Sequence, residues 1–200
     1  MLFRSGDEDW PSLEAWQALN NITGGRLLRP VPKAASCYRG PEFNQSRCAA
    51  ISVNWTDPAS HYDDPVEMMA PMYQGLTCMP PTILDTKDCT MGGFPLYVVN
   101  ATSPLHVQAA VNFARNTGIR LVVRNTGHDY LGKSGGAGSL SIWTHHMKDI
   151  TYIPEYTTQD GSYSGPAFKA GAGVQAFELY KTAHDKGYVV VGGDCSVRRS

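Results

Sequence analysis

Residues 121–138 read LVVRNTGHDYLGKSGGAG, an apolar run that leads into a loop rich in glycine. The apolar and β-branched residues at 121–123 predict a strand. Glycine then recurs at closely spaced positions, which are Gly127, Gly132, Gly135, Gly136 and Gly138. Because backbone N–H groups in such a loop are not covered by side chains, they can form a concave nest for anionic oxygens. The stretch therefore predicts a loop that binds a phosphate-containing ligand at the end of a strand.

Residues 127–134, GHDYLGKS, also fit the pattern G-x-x-x-x-G-K-[ST] of a nucleotide-binding P-loop. A P-loop leads directly into a helix whose N-terminus faces the phosphates. Here three of the next four residues are glycine, and 140–143 then alternates as a strand does. A carboxylate at Asp129 would also repel a triphosphate. We therefore expect no P-loop.

The chain around this loop predicts a mixture of strands and helices. A β-α-β unit is expected from a strand at Tyr97 to Val99, a helix from Pro104 to Gly118 and a strand from Ile119 to Val123. Ligands bind at the carboxyl ends of the strands in such units, which is where the glycine-rich loop begins. Further strands are expected at 140–143, 150–153, 167–170 and 188–191, with a helix at 175–186.

The N-terminal half is less regular. One helix is expected from Pro11 or Ser12 to about residue 19, with Leu13, Trp16 and Leu19 on its buried face, and another from Asn44 to about residue 53. Residues 57–92 are rich in Pro, Asp, Met and Gly and show little periodicity. We therefore expect an α+β fold in two parts, a helical and irregular segment at 1–92 and a binding domain at 93–200.

Five cysteines are present, four of them in two pairs that are each eleven positions apart. These pairs are Cys37 with Cys48 and Cys78 with Cys89, whereas Cys195 lies far from the others. Zinc sites favour closer spacing, so two local disulfides are the simpler interpretation. Four cysteines nevertheless permit three connectivities, and the sequence leaves these open.

The glycosylation pattern N-x-[ST] occurs four times, and together with the paired cysteines it indicates the secretory pathway. Residues 1–9 contain no apolar signal-peptide core, so we expect the sequence to start inside a longer reading frame. A net charge of −1 argues against a nucleic-acid or membrane-surface partner. No apolar run approaches the ~20 residues of a membrane span.

Arg124 to Gly132, RNTGHDYLG, resembles the pyrophosphate loop of FAD-linked oxidases of the vanillyl-alcohol-oxidase (VAO) and p-cresol-methylhydroxylase (PCMH) type, most closely the secreted fungal branch related to berberine bridge enzyme. Residues 140–148, LSIWTHHMK, and 192–195, GGDC, extend the resemblance, which runs from about Trp10 to Cys195. It implies a PCMH-type FAD-binding subdomain and an oxidase that passes hydride from a small-molecule substrate, a carbohydrate or a secondary metabolite, to the flavin and then to O2.

The resemblance also implies the residues that hold FAD. His128 occupies the place of a histidine joined covalently to the flavin 8α-methyl group, and Cys195 that of a cysteine joined in some members to flavin C6. The other residues expected at the cofactor are Arg124, Asn125, Thr126, Gly127, Asp129, Tyr130, Gly132 and Ser134 of the loop, and Gly192, Gly193 and Asp194 before the cysteine.

No residue is predicted to act as the catalytic acid or base, because the resemblance places that residue in a substrate domain beyond Cys195. We expect an N-terminal fragment of an oxidase; the alternative is a catalytically silent, truncated nucleotide-binding domain. His145 and His146 raise the question of a metal site. Adjacent strand residues point to opposite faces, so we expect one packed and one exposed histidine rather than two ligands of one ion.

Overall fold

The structure, a computed structural model, describes residues 7–84 and 86–193. Its helices are α1 (Leu13–Ile22), α2 (Gln45–Asn54), α3 (Ala59–Tyr62), α4 (Pro104–Thr117) and α5 (Ala176–His184). Its strands are β1 (Leu27–Leu28), β2 (Tyr97–Asn100), β3 (Leu121–Arg124), β4 (Leu140–Trp143), β5 (Ile150–Thr157) and β6 (Ser164–Ala170). Short 3-10 helices cover Lys33–Cys37 and Pro71–Gln74. The predicted α+β fold is confirmed.

The central sheet has four strands in the order β1-β2-β4-β3. β2 and β3 both pair with β4 in parallel, so the two strands of the β-α-β unit are separated by β4. Every residue of β4 is buried, as expected for the middle of a parallel sheet that is covered on both faces. The carboxyl ends of β2, β4 and β3 meet at one edge, where the glycine-rich loop begins.

Two helices cover the sheet. α4 has proline at its first position and ends at Gly118 in the left-handed conformation (φ 67°), as predicted. Its Ala110 and Ala114 pack with Trp16 and Leu19 of α1 in the main core. Leu13, however, was expected on the buried face and is 77% exposed. Leu13 lies about 120° around the helix axis from buried Leu19, so its side chain turns away from the core.

β5 and β6 form a separate antiparallel hairpin that is longer than predicted. The predicted strand ended at Ile153, before Pro154, which cannot donate to a ladder. In the structure a register shift between Ile153 and Tyr156 accommodates this proline, and pairing resumes. The expected strand at 188–191 is wrong. Tyr188 packs on Tyr152 of the hairpin, but no described strand offers 188–191 a backbone ladder, and Val189 and Val191 are exposed.

Disulfides join Cys37 to Cys48 and Cys78 to Cys89, which confirms the two local pairs. Both lie in the N-terminal half, where α2 begins at its predicted cap, Asn44. Between residues 57 and 92 the described chain is mostly irregular, with only α3 and one 3-10 turn. No helix in the described ranges is both long and apolar enough to span a bilayer.

Candidate functional site

The candidate site is the glycine loop, residues 127–138, which leaves the carboxyl end of β3 and returns to the start of β4. Gly127 (φ 79°) and Gly132 (φ 68°) are in the left-handed region, where glycine is favoured. A Cβ on Gly127 would lie 2.7 Å from the Glu67 carbonyl oxygen, and one on Gly132 would lie 2.5 Å from the Tyr73 Cγ. Both glycines are therefore needed for conformation and for close packing against residues 66–74.

The backbone donors of this loop divide into two groups. The Asp129 carboxylate accepts the N–H groups of Lys133 (2.6 Å) and Ser134 (3.1 Å) and the Ser134 hydroxyl. Between Gly127 and Gly132, in contrast, no backbone N–H donates to another described residue. Asp129 thus closes the loop on itself and directs its charge inward, while the first half keeps unused donors.

The same geometry excludes the P-loop alternative. The chain after Ser134 continues through turns into β4 and not into a helix. The amides of Lys133 and Ser134, which a P-loop would offer to phosphate, are occupied by Asp129.

His128 and Tyr130 lie on the outer side of the loop. The His128 side chain is exposed and makes no hydrogen bond with any described residue. Tyr130 is 83% exposed and the neighbouring Leu131 is 66% exposed. These side chains are accessible to a ligand seated on the loop.

Arg124 has a different environment from the one the resemblance implies. It is 1% exposed, and its guanidinium donates to the carbonyl oxygens of Glu67 (2.8 and 3.1 Å), His61 (2.8 Å), Thr126 (3.1 Å) and Asn125 (3.3 Å). Burial lowers the pKa of Arg124 to about 10, although the carboxylates of Asp64 and Glu67 oppose this effect. Its donors face protein carbonyls, so Arg124 holds the start of the loop in place instead of reaching a phosphate.

A buried acid lies beneath Arg124. Glu67 is 2% exposed, and burial raises the pKa of its carboxyl group, an effect that neighbouring His61 opposes. His61 donates from Nε2 to the Trp55 carbonyl (2.7 Å), while its Nδ1 faces the Glu67 carboxylate at 3.5 Å. This pair connects α3 to the segment that carries the Glu67 carbonyl.

Asn125 is held at every polar side-chain atom. Its amide nitrogen donates to the Ala172 carbonyl (3.2 Å), which leaves its Oδ1 facing the Nδ1 of His145 at 3.1 Å. Since that oxygen can only accept, His145 carries its proton on Nδ1. Trp143 donates its Nε1 to the Asn125 carbonyl (3.0 Å). Asn125 therefore sets the direction in which the chain enters the loop.

The two adjacent histidines differ as expected. His145 is buried and stacks on Trp143, whereas His146 is exposed and contacts Asn100 (2.8 Å) and Asp63 (3.3 Å). Burial, reinforced by Lys148 and His146, lowers the pKa of His145 to about 4, so this imidazole is neutral near pH 7. Among residues 7–84 and 86–193, no three His, Cys, Asp or Glu side chains converge as a metal-binding group.

The second predicted set of cofactor residues is only partly described. Gly192 and Gly193 are exposed, and Tyr180 of α5 donates its hydroxyl to the Gly193 carbonyl (2.6 Å). No described hydrogen bond joins these two glycines to the glycine loop. Asp194 and Cys195 lie outside the described residues.

Sequence reasoning missed the segment at 66–74. It supplies the Glu67 carbonyl to Arg124, the Met69 N–H to the Gly127 carbonyl (3.1 Å) and the Tyr73 ring to Gly132. The one available signal was a single acid, Glu67, within the apolar run VEMMA. Contacts made through backbone atoms leave no signature in residue type.

The backbone N–H groups of the glycine loop can be compared with what the diphosphate of FAD requires. A diphosphate needs several convergent N–H groups and no opposing charge. The unused amides at 127–132 supply such donors, and the one carboxylate in the loop, Asp129, is engaged internally. Residues 127–132 therefore fit the diphosphate of FAD, and the His128 side chain among them is exposed. Thr126 instead presents its carbonyl to Arg124.

Comparison with known proteins agrees with this fit. The family described as "FAD binding domain" matches residues 95–196, about half of the chain. The chain is 45% identical over 191 residues to the FAD-linked oxidoreductase patO of Aspergillus clavatus, covering 96% of this chain and 32% of that protein. It is 41% identical over 192 residues to the bifunctional decalin synthase calF of Penicillium decumbens, covering 95% of this chain and 33% of that protein.

The fold is also similar to a solved structure. The VAO-type flavoprotein MtVAO615 from Myceliophthora thermophila C1 superimposes with a TM-score of 0.89 at 38% identity, over 97% of this chain and 35% of that chain. The chain thus spans about a third of the length of the relatives it matches. With the glycine loop, the mixed sheet and the matched FAD-binding segment in agreement, the chain belongs to the VAO/PCMH-type family of FAD-linked oxidoreductases.

Proposed function

We propose that the glycine loop binds the diphosphate of FAD through the backbone N–H groups of residues 127–132. The observation that carries this proposal is that these amides donate to no described protein group. Arg124 and Asn125 before them, and Lys133 and Ser134 after them, are held by hydrogen bonds. Bound FAD would accept a hydride equivalent from a substrate. Arg124, Asn125 and Asp129 contribute by fixing the loop, and exposed Tyr130 can cover the ligand.

We further propose that His128 attaches the flavin covalently. A ring nitrogen bonds to the flavin 8α-methyl carbon, that carbon loses a proton, the flavin takes up the electron pair and is reduced, and O2 then reoxidises it. The exposed position of its ring and its freedom from described hydrogen bonds support this role, because a nitrogen that bonds to carbon must present its lone pair. Cys195 is proposed as a second attachment point. The proposal is supported by the pairing of the other four cysteines with one another, because a bond to flavin requires a thiolate nucleophile.

The whole protein, in this proposal, is an oxidase that acts on a small molecule and transfers the electrons to O2. One relative is a decalin synthase, which favours a secondary metabolite over a carbohydrate as the substrate class. A chain that only binds nucleotide without turnover is the alternative. Flavin reduction by a substrate under anaerobic conditions would distinguish the two.

Secretion is proposed for the same protein. Two disulfides support it, because disulfides persist in oxidising compartments. The asparagines of three glycosylation motifs, Asn21, Asn44 and Asn54, are exposed, as glycan carriers must be. The fourth, Asn100, is half-buried and its Oδ1 contacts His146.

The binding experiment titrates FAD into the purified chain, extended with the C-terminal portion of a relative so that the whole flavin site can form, and follows the quenching of flavin fluorescence. Gly127→Ala places a Cβ against the Glu67 carbonyl and should raise the Kd by about tenfold or more, because the loop must shift. Gly187→Ala is the matched control, since Gly187 has nearly the same φ (77° against 79°) but nothing within 4 Å of its added Cβ. Equal losses of affinity in both variants, or no binding by the unmutated chain, would refute the proposal.

A further inference from the structure

The 66–74 segment contacts the glycine loop at three of its glycines. The Glu67 carbonyl lies against Gly127. A Cβ added to Gly135 would lie 2.5 Å from Met68 Sδ, and one added to Gly132 would lie 2.5 Å from the Tyr73 ring. The Met69 N–H also donates to the Gly127 carbonyl (3.1 Å), which joins the two backbones directly. One face of the glycine loop is therefore shaped by this segment.

The segment is in turn fastened to the Cys78–Cys89 disulfide. Gln74 is 2% exposed; its carbonyl accepts the Gly93 N–H (2.8 Å), and its side chain makes two hydrogen bonds with Thr77 (2.7 and 3.0 Å). Thr77 and Thr90, which directly flank the two cysteines, exchange hydrogen bonds of 3.0 and 3.1 Å. The disulfide thus closes the loop 78–89. Thr77, directly before that loop, holds Gln74, the last residue of the 66–74 segment.

The other disulfide offers a comparison within the same chain. Cys37 and Cys48 are also eleven positions apart and join the 3-10 helix at Lys33–Cys37 to α2. Residues 37–48 make no described hydrogen bond to the 66–74 segment or to the glycine loop. The links from this side of the molecule are the Lys33 N–H, which donates to Glu67 Oε1 (3.2 Å), and the Tyr38 hydroxyl, which donates to the Met79 carbonyl. Equal loop lengths imply similar entropic stabilisation by the two disulfides, so a difference between them must come from position.

We propose that the 66–74 segment, held by the Cys78–Cys89 disulfide, is a positioning element that sets the conformation of the cofactor loop, with Tyr73 as its positioning residue at Gly132. The inference rests on the proposed binding of FAD by that loop. A loop supported on one face presents its unused amides in one arrangement. Without this support the binding-competent arrangement becomes a fraction of the population, and the apparent Kd rises in inverse proportion to that fraction.

The first test removes each disulfide by serine substitution of both cysteines and measures the Kd for FAD at a temperature where both variants are folded. Cys78→Ser with Cys89→Ser should raise the Kd by about tenfold, and Cys37→Ser with Cys48→Ser by less than about twofold. A purely structural role for both disulfides would lower the unfolding midpoints of the two variants alike and leave both affinities equal. That result would overturn the inference.

A second test leaves the disulfides intact. Tyr73 is 46% exposed, so Tyr73→Ala should fold, and it removes the ring that packs on Gly132. We expect Tyr73→Ala to weaken FAD binding by about fivefold to tenfold and Tyr73→Phe, which keeps the ring, to restore it. An alanine variant with unchanged affinity, or a phenylalanine variant as weak as alanine, would contradict the role of the ring.

Hydrogen exchange of the FAD-free chain separates this inference from the proposed function. Amides in 66–74 and at Lys133 and Ser134 should exchange faster in the Cys78/Cys89 double variant than in the Cys37/Cys48 double variant. This readout holds even if the unmutated chain fails to bind FAD, a failure that would refute the proposed function alone. Equal exchange in the two variants would refute the positioning role whatever the FAD result.

Discussion

Replacement of Arg124 by methionine tests how the loop is held. The substitution keeps a long side chain but removes every hydrogen bond that the guanidinium donates. The carbonyls of His61, Glu67 and Thr126 then lose their only described donor, and all three residues are at least 95% buried. An unsatisfied buried acceptor costs about 1–3 kcal/mol, while removal of a buried cation relieves part of its desolvation penalty. We expect a net loss of about 3 kcal/mol in the free energy of unfolding.

Urea unfolding followed by tryptophan fluorescence measures this loss, since Trp143 lies beside the Arg124 guanidinium. Arg47→Met is the control, because Arg47 is exposed on α2 and its side chain makes no described hydrogen bond. The control should change stability by less than about 0.5 kcal/mol. If Arg124→Met were as stable as the control, Arg124 would not be the residue that fastens the loop, and a direct contact with phosphate would become the better explanation.

Other expectations concern disulfides, pH and glycans. Non-reducing peptide mapping should find the two local disulfides and no disulfide that contains Cys195; any such bond would exclude a thioether to flavin at that residue. His145 is neutral in the fold with a pKa lowered to about 4 and gains a proton on unfolding, so its contribution to stability is lost as pH falls from 6.5 towards 4. His145→Gln, which can still donate to Asn125, should flatten this part of the stability profile measured by urea midpoints; an unchanged profile would show that His145 is not the group responsible. Mass spectrometry of the secreted protein should find glycans at the exposed motifs and none at Asn100, and a fully occupied Asn100 would show that this site is modified before it packs.

Local features of the fold were predictable from the sequence. The proline and glycine at the ends of α4 act through their own backbone, and the cap at Asn44 accepts an N–H only three residues away (2.8 Å), so residue type is enough to locate them. The two disulfides were predictable because their partners are close in sequence. The position of β4 between β2 and β3 was not, because strand pairing joins residues that are far apart in the chain.

The location of the candidate site was predictable from the sequence, but the contacts that its side chains make were not. The glycine loop and exposed His128 lie where the motif placed them, at the end of β3. Arg124 was expected at the cofactor, but two of its acceptors, the carbonyls of Glu67 and His61, lie 57 and 63 residues earlier in the chain. Contacts to backbone carbonyls are not revealed by any side-chain pattern. Asp129 was expected among the residues at the cofactor, and its charge was expected to disfavour only the triphosphate of a P-loop. The structure shows its carboxylate closing the loop by accepting from Lys133 and Ser134.

The most direct test of the central claim, that this loop carries FAD and that His128 attaches it, is the fate of the flavin after acid precipitation. The chain is extended with the C-terminal portion of a relative, so that the whole flavin site can form, and is expressed with FAD. The pelleted protein should stay yellow and yield a flavin-bearing peptide that contains His128. His128→Ala should abolish that peptide, whereas His184→Ala, at a histidine that is 92% exposed on α5, should not. Release of all flavin into the supernatant from the unmutated protein would contradict the covalent attachment at His128.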